Sequence, residues 1–295
     1  LLFSLLKLRS ALASFKTVKT YIDKFNQRFG DAVVGDIKPV DLENLQEARK
    51  KEGLKPKTVD VEINYVKTMV IKAFDNDLLG GDVLIAFRRV KKTLKAHSNR
   101  RDRVLTVQEF HTLYDKAQSH IKGILAMGYW CGMRKGEIIN LTWHKVDLKA
   151  RIIRLEAADT KERQPKTIPI SNEVYKVLAR IPRPIHGGHV FLYYSKPITK
   201  RFETAMKTTC KDAGIPWGRE VKGGFIFHDL RHTFITDMRR AGVPRTATMS
   251  ITGHAISDMN ERYDTVDEAD KLEAIRLFEK LRNASQSATQ KKPFI

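Results

Sequence analysis

Residues 227–243 read FHDLRHTFITDMRRAGV. His228 and Arg231 stand three apart, so on a helix both project from one face, with His232 one turn on from His228. Arginine offers a planar fork of N–H donors that matches two phosphate oxygens. A face carrying His228 and Arg231 therefore suits one phosphate. The two histidines at i and i+4 also have the spacing of a zinc pair. However, no HExxH pattern accompanies them and no third ligand stands out.

Three other stretches extend the theme: CGMRKGEIINLTW at 131–143, DTKERQPKTIPI at 159–170 and GHAISDMNERYDTVDEAD at 253–270. Together the four supply two arginines, a lysine in a turn, histidines and a tyrosine. Two arginines with histidine donors can neutralise the charge of a five-coordinate phosphorane, as an oxyanion hole does, without a metal. A tyrosine can act as covalent nucleophile, given a base or a cationic field to offset its ordinary pKa of ~10. A lysine can protonate the departing alkoxide. The set fits phosphodiester transfer through a phosphotyrosine. Taken singly each motif is weak; Arg134 beside a glutamate or Tyr263 alone reads as structural. Their joint order on one basic chain is the signal.

The chain has 295 residues, enough for about two domains. Lys and Arg number 54 against 34 Asp and Glu, a net charge of +20, which draws polyanions and above all nucleic acid. Cys131 and Cys210 match no CxxC pattern, which suits a reducing cytosol and argues against a disulfide scaffold. No apolar run reaches 18 residues, and no basic amphipathic helix with aromatic anchors points to a membrane surface. The opening LLFSLLKLRSALAS resembles a signal-peptide core, but Lys7 and Arg9 interrupt it and no basic segment precedes it. A cytoplasmic, nucleoid-associated protein is expected. Because the sequence begins at Leu1 rather than methionine, upstream residues are expected to be missing.

Residues 1–87 are expected to form an all-helical domain. Phe15, Val18, Ile22, Phe25 and Phe29 keep helical spacing before Gly30. Asp41 is a candidate N-cap for a helix stopped by Gly53, and Val59, Ile63, Val66, Val70 and Phe74 mark another. Residues 88–103, RRVKKTLKAHSNRRDR, are half Lys or Arg without apolar periodicity and read as a basic inter-domain linker. Arg88, Arg89, Lys91, Lys92, Arg100 and Arg101 are its candidate DNA contacts. From 104 to 295 a second domain is expected, mostly helical. Thr106 with Glu109 caps its first helix, Ser171 caps another, and Gly214 ends a third. Residues 151–156 and 167–170 bracket a polar turn and read as a β-hairpin. Near the end, Asp267 can cap a helix striped by Leu272, Ile275, Phe278 and Leu281, packing either on its own domain or on a neighbouring protomer.

In order and spacing, GMRKGEIINLTW, TKERQPKTIPI, HDLRHTFITDMRRAGV and a Gly-His pair followed nine residues on by tyrosine resemble the tyrosine recombinase (phage integrase) family. The resemblance covers 104–285 closely and the Lys-rich helices of 11–87 more loosely. It implies a mainly α fold with a small antiparallel sheet: a two-domain DNA clamp made of an all-α core-binding domain and an α+β catalytic domain. By the resemblance Arg134 and Arg231 bind the scissile phosphate. Lys161 is the general acid toward the 5′ oxygen, and His228 helps deprotonate the nucleophile. His254 donates to a non-bridging oxygen, and Tyr263 forms the 3′-phosphotyrosine. Glu137 orients its neighbours. Neither metal nor other cofactor is implied, and the partners are double-stranded DNA at a specific site, three further protomers in a tetramer, and accessory DNA-bending proteins. Thr252 stands where the family usually has leucine, DTVDEAD is an unusual sequel to the tyrosine, and Lys166 rivals Lys161. An upstream arm-binding domain, phage or conjugative origin, and the target site are left open. A type IB topoisomerase, or a DNA-binding protein without catalysis, is the alternative reading.

Overall fold

The computed structural model describes residues 15–30, 32–94, 101, 103–185, 187–198, 201–253 and 268–287. The chain divides into two compact units, 1–101 and 102–295.

The first unit is helical: α1 (Phe15–Phe29), α2 (Pro39–Lys51), α3 (Pro56–Phe74) and α4 (Gly81–Arg89). Their apolar stripes close one core of Val18, Ile22, Phe25, Leu42, Leu45, Ile63, Val66, Val70 and Phe87. Phe74, expected in that stripe, is 39% exposed at the end of α3. The start of α2 also differs from expectation. Pro39 opens it, since its fixed φ suits a first turn and it has no N–H to leave unsatisfied. Asp41 thus lies inside the helix, and its carboxylate accepts the backbone N–H of Lys38 at 2.9 Å.

The basic stretch at 88–103 does not begin as a loose connector. Arg88 and Arg89 are the last turn of α4, and Val90 is buried. The carboxylate of Asp60 takes the backbone N–H groups of Thr93 and Leu94 at 2.7 and 3.0 Å, and Gln46 donates to the carbonyl of Lys91 at 2.9 Å. Those backbone bonds tie residues 90–94 to the first unit.

In the second unit, α5 (Val107–Lys116) starts at Thr106, whose hydroxyl accepts from Glu109 N while the Glu109 carboxylate accepts from Thr106 N. α6 (Ser119–Trp130) is buried nearly throughout and forms the axis of the core. The short α7 (Lys135–Ile139) follows, then β1 (Val146–Asp147), β2 (Ile152–Leu155) and β3 (Lys166–Pro169). These pair antiparallel in that order, with Ile153 opposite Ile168 and Leu155 opposite Lys166. The expected hairpin is therefore present, with a third strand the sequence did not announce. Strand alternation puts Lys166 on the same buried face as Ile168.

α8 (Asn172–Ala179) is capped by Ser171, whose hydroxyl accepts from Val174 N at 3.3 Å. A second small hairpin joins β4 (Leu192–Tyr193) to β5 (Lys196–Pro197) through Tyr194 and Ser195, both at positive φ. Neither is a glycine or asparagine, so this turn gave no signal in the sequence. α9 (Arg201–Asp212), α10 (His228–Arg240), α11 (Arg245–Thr252) and α12 (Glu268–Ser287) follow. α12 buries Ala274, Ile275 and Phe278 on its own domain. Its fourth buried position is Arg282 rather than the expected Leu281. No described helix is long and apolar enough to cross a membrane. Asp267 lies outside the described residues.

Candidate active site

The site is built where α7, β3, α10 and the end of α11 meet. Gly132 holds φ +62°, and a Cβ there would stand 2.4 Å from the Phe234 ring, so only glycine lets the chain pass beneath α10. Its carbonyl accepts Arg231 Nη1 at 2.9 Å. Gly253 ends α11 in the left-handed conformation, where a Cβ would meet Lys166 Cδ at 2.9 Å. Thr252 O accepts Arg231 Nη2 at 2.7 Å and Lys166 Nζ at 3.1 Å. Two helix ends thus present carbonyls that fix a buried guanidinium and a buried ammonium.

Arg231 is 1% exposed and still carries its charge. Burial pushes its pKa down to about 10, and Arg134 nearby adds to the fall, yet it stays protonated at neutral pH. Arg134 immediately precedes α7. Glu137, one turn into that helix, accepts the Arg134 backbone N–H at 3.0 Å with one oxygen and Arg134 Nη1 at 3.0 Å with the other. Lys166 Nζ adds a third bond to Glu137 at 2.8 Å. Burial alone would raise the Glu137 pKa. Lys166 and Arg134 outweigh it and hold the carboxyl below its ordinary range. Lys166 is held below the usual lysine value by burial and by Arg231 and Arg134, against the pull of Glu137. Arg134 Nη2 faces outward, to Glu162 at 2.6 Å and Gly253 O at 3.3 Å.

His228 is exposed at the first position of α10, one turn before Arg231. Partial desolvation lowers its pKa, and the fields of Arg231 and Arg134 lower it further, so at neutral pH the ring can accept a proton. His232 turns away, with Nδ1 3.1 Å from the carbonyl of Arg103. Among the described residues no cluster of three His, Cys, Asp or Glu stands ready for a metal ion.

Arg134, Glu137, His228 and Arg231 therefore come together. Lys161 stands exposed in the tip between β2 and β3, beside Glu162, whereas its rival Lys166 is inside the cluster. His254 and Tyr263 lie outside the described residues. On the first unit Arg88, Arg89, Lys91 and Lys92 are all exposed, Arg101 is partly so, and Arg100 lies outside the described residues. Glu162 and the carbonyls of Gly132, Thr252 and Gly253 were not foreseen. Backbone acceptors carry no side-chain signature, although the two positive-φ glycines mark where they occur.

A model of the phage integrase family matches residues 103–270, more than half of the chain. The chain belongs to the phage integrase family. Among similar proteins, the integrase of Salmonella phage P22 is 27% identical over 173 residues, covering 56% of this chain and 44% of that one. The shufflon-specific DNA recombinase of Escherichia coli is 28% identical over 198 residues, covering 66% and 46%. The chain thus spans about half the length of these relatives. Among solved structures, the Tn1549 transposon integrase in complex with circular intermediate DNA superposes with a TM-score of 0.67 at 19% identity, over 92% of this chain and 96% of that one. A lambda integrase tetramer bound to a Holliday junction gives 0.65 at 15% identity, over 90% and 79%. These two likenesses establish the mainly helical integrase fold with its small antiparallel sheet.

Proposed function

We propose that this chain is a site-specific DNA recombinase that cuts and rejoins strands through a phosphotyrosine. The observation that carries the reading is the Arg134–Arg231 pair. Both guanidiniums are oriented by fixed acceptors, and His228 stands one turn away on α10. Such an arrangement is preorganised for the charge that develops on a phosphate in transfer. Membership of the phage integrase family supports the same chemistry.

In the proposed reaction Tyr263 attacks the scissile phosphorus and His228 helps remove its phenolic proton. Arg134, Arg231 and His254 neutralise the pentacovalent phosphorane. The bond to the 5′ oxygen breaks and Lys161 gives that oxygen its proton. The 3′ phosphate is then esterified to Tyr263, and a 5′ hydroxyl from a partner duplex reverses the chemistry to join new strands. We assign Lys161 rather than Lys166 to the acid because Lys161 is at the exposed tip, whereas Lys166 is held by Glu137 and Thr252 O. Lys166 then positions Glu137 and, through it, Arg134.

Residues 1–87 serve as a core-binding domain, 88–103 as a basic segment and 104–295 as the catalytic domain. Both act on duplex DNA inside the cell, with Arg88, Arg89, Lys91, Lys92, Arg100 and Arg101 on phosphates. Four protomers exchange strands through a Holliday junction, with DNA-bending proteins as accessories. The test uses duplexes enriched by binding from a random-sequence library, two labels and a chelator. Recombinant joint molecules are expected. Relaxation of a supercoiled plasmid carrying the same selected sequence, with no joint molecules from the duplexes, overturns strand exchange and favours a nicking-closing enzyme.

A further inference from the structure

Glu162 follows Lys161 in the turn between β2 and β3 and takes no part in the proposed strand-transfer steps. Its position in the site gives it a task. Arg134 divides its fork between two carboxylates. Nη1 bonds Glu137 and Nη2 bonds Glu162 Oε1 at 2.6 Å. The two acids are not equivalent. The Glu137 side chain is 3% exposed, and both of its oxygens are bonded, one of them to Lys166 as well as to Arg134. Glu162 is 25% exposed, and its second oxygen is buried without a hydrogen-bond partner. A half-satisfied carboxylate on the outward donor of a phosphate-binding arginine is the one that can leave.

We propose that Glu162 is a displaceable counter-anion, which holds the outward Nη2 of Arg134 until a DNA phosphate takes its place. The inference rests on the reading of Arg134 as a phosphate ligand. Its negative charge also reaches Arg231, which it helps to keep protonated, so it sits in the field of both arginines. The turn is built to release it. Thr160 Oγ1 accepts Gln164 N at 3.1 Å and donates to Gln164 O at 2.8 Å, pinching the base of a short tip. Lys161, Glu162 and Arg163 form that tip, with Arg163 at φ +54°. When phosphate displaces Glu162, the tip moves as one piece and Lys161 moves with it. Arrival of the substrate anion and placement of the lysine are thereby a single event. Glu162 is a positioning residue in this scheme, acting through Arg134 and Lys161.

The consequence is an exchange of one anion for another. In the wild type, DNA releases an internal carboxylate from Arg134. Without Glu162, Arg134 holds a salt anion that DNA must release, so the salt dependence of binding steepens by roughly one. The experiment compares wild type, Glu162→Gln, Glu162→Asp and Glu162→Gln with Arg134→Ala. Each is titrated with inorganic phosphate, followed by thermal shift, and with random-sequence duplex DNA at several salt concentrations. Glu162→Gln is expected to bind phosphate at least ~5-fold more tightly than wild type, a charge-assisted bond gained, with the steeper salt slope. Glu162→Asp keeps the charge and stays near wild type. The gain disappears with Arg134→Ala. Equal or weaker phosphate binding by Glu162→Gln overturns the proposal; should that variant not fold, Glu162→Ala gives the same reading. The wild-type test for a Tyr263 adduct separates the two claims. An adduct without the phosphate gain overturns only the role of Glu162. A gain without an adduct upholds the counter-anion and overturns the strand-transfer reading.

Discussion

Among the described residues of the second unit, the buried charges around Glu137 and those around Arg282 are put together in opposite ways. Around Glu137 the acceptors face inward, while Arg134 Nη2 and His228 are left toward the surface. Arg282 itself is closed off from solvent. Its guanidinium is 2% exposed, lies 3.2 Å from the centre of the Tyr129 ring and near those of Trp130 and Phe278, and pairs with Asp237 at 2.9 Å. Asp237 belongs to α10, the helix that begins with His228, so the closed cluster fastens α12 to the far end of the site helix. Burial of charge alone therefore does not mark a site. A site keeps oriented donors within reach of solvent; this structural cluster keeps its guanidinium stacked and paired in the interior.

The largest expected effect tests the closed side. Arg282→Ala takes the buried cation from Asp237 Oδ2, leaving that carboxylate only the exposed Arg240, and removes the stacked guanidinium; it is expected to cost about 3–5 kcal/mol of stability in urea melts. At temperatures where it remains folded, adduct formation per molecule should match wild type. A rate loss there breaks the comparison. Next, Arg134→Ala or Arg231→Ala is expected to lose at least ~10²-fold in the rate of adduct formation, the scale for one transition-state donor. Single-turnover assays on selected duplexes measure it, and a loss confined to stability contradicts the assignment.

A smaller effect is the response to acid. The Glu137 pKa in the fold lies below its ordinary 4.5. The unfolded chain therefore takes up the proton first. The contribution is complete above the ordinary value and fades as pH falls through the folded one. Urea melts from pH 7 down should show wild type losing this stability on acidification. Glu137→Gln should be less stable at pH 7 and show a flatter slope in acid. An equal slope removes Glu137 from the cluster. The smallest net change is expected of Arg282→Met combined with Asp237→Leu. Apolar groups of similar volume often replace a buried pair without loss, so melts should return to wild-type stability or above. A double variant as weak as Arg282→Ala shows that the closed cluster has a directional role too.

Much of the site was legible because its side chains announce their chemistry. His228 and Arg231 follow helical spacing, and Arg134 and Glu137 repeat it one turn apart. What escaped the sequence was decided by backbone and burial. Lys166 was one of two lysines in a turn until strand register put it opposite Leu155 on the inner face. Arg282 broke an apolar stripe that spacing assigned to Leu281, because aromatic rings on α6 and α12 supply a surface on which a guanidinium stacks. The Tyr194–Ser195 turn adopts positive φ without glycine, and Asp41 yielded the start of its helix to Pro39. The same limits hold for Glu162, an ordinary turn residue in sequence and the partner of Arg134 in space.

The central claim is a covalent one, and a single gel decides it. The protein is mixed with a nicked suicide duplex, drawn from those enriched by binding, in the presence of chelator, and then denatured. A protein–DNA adduct that survives denaturation and is absent from Tyr263→Phe is expected. An adduct that persists in Tyr263→Phe, or one that forms only when divalent metal is restored, contradicts the claim.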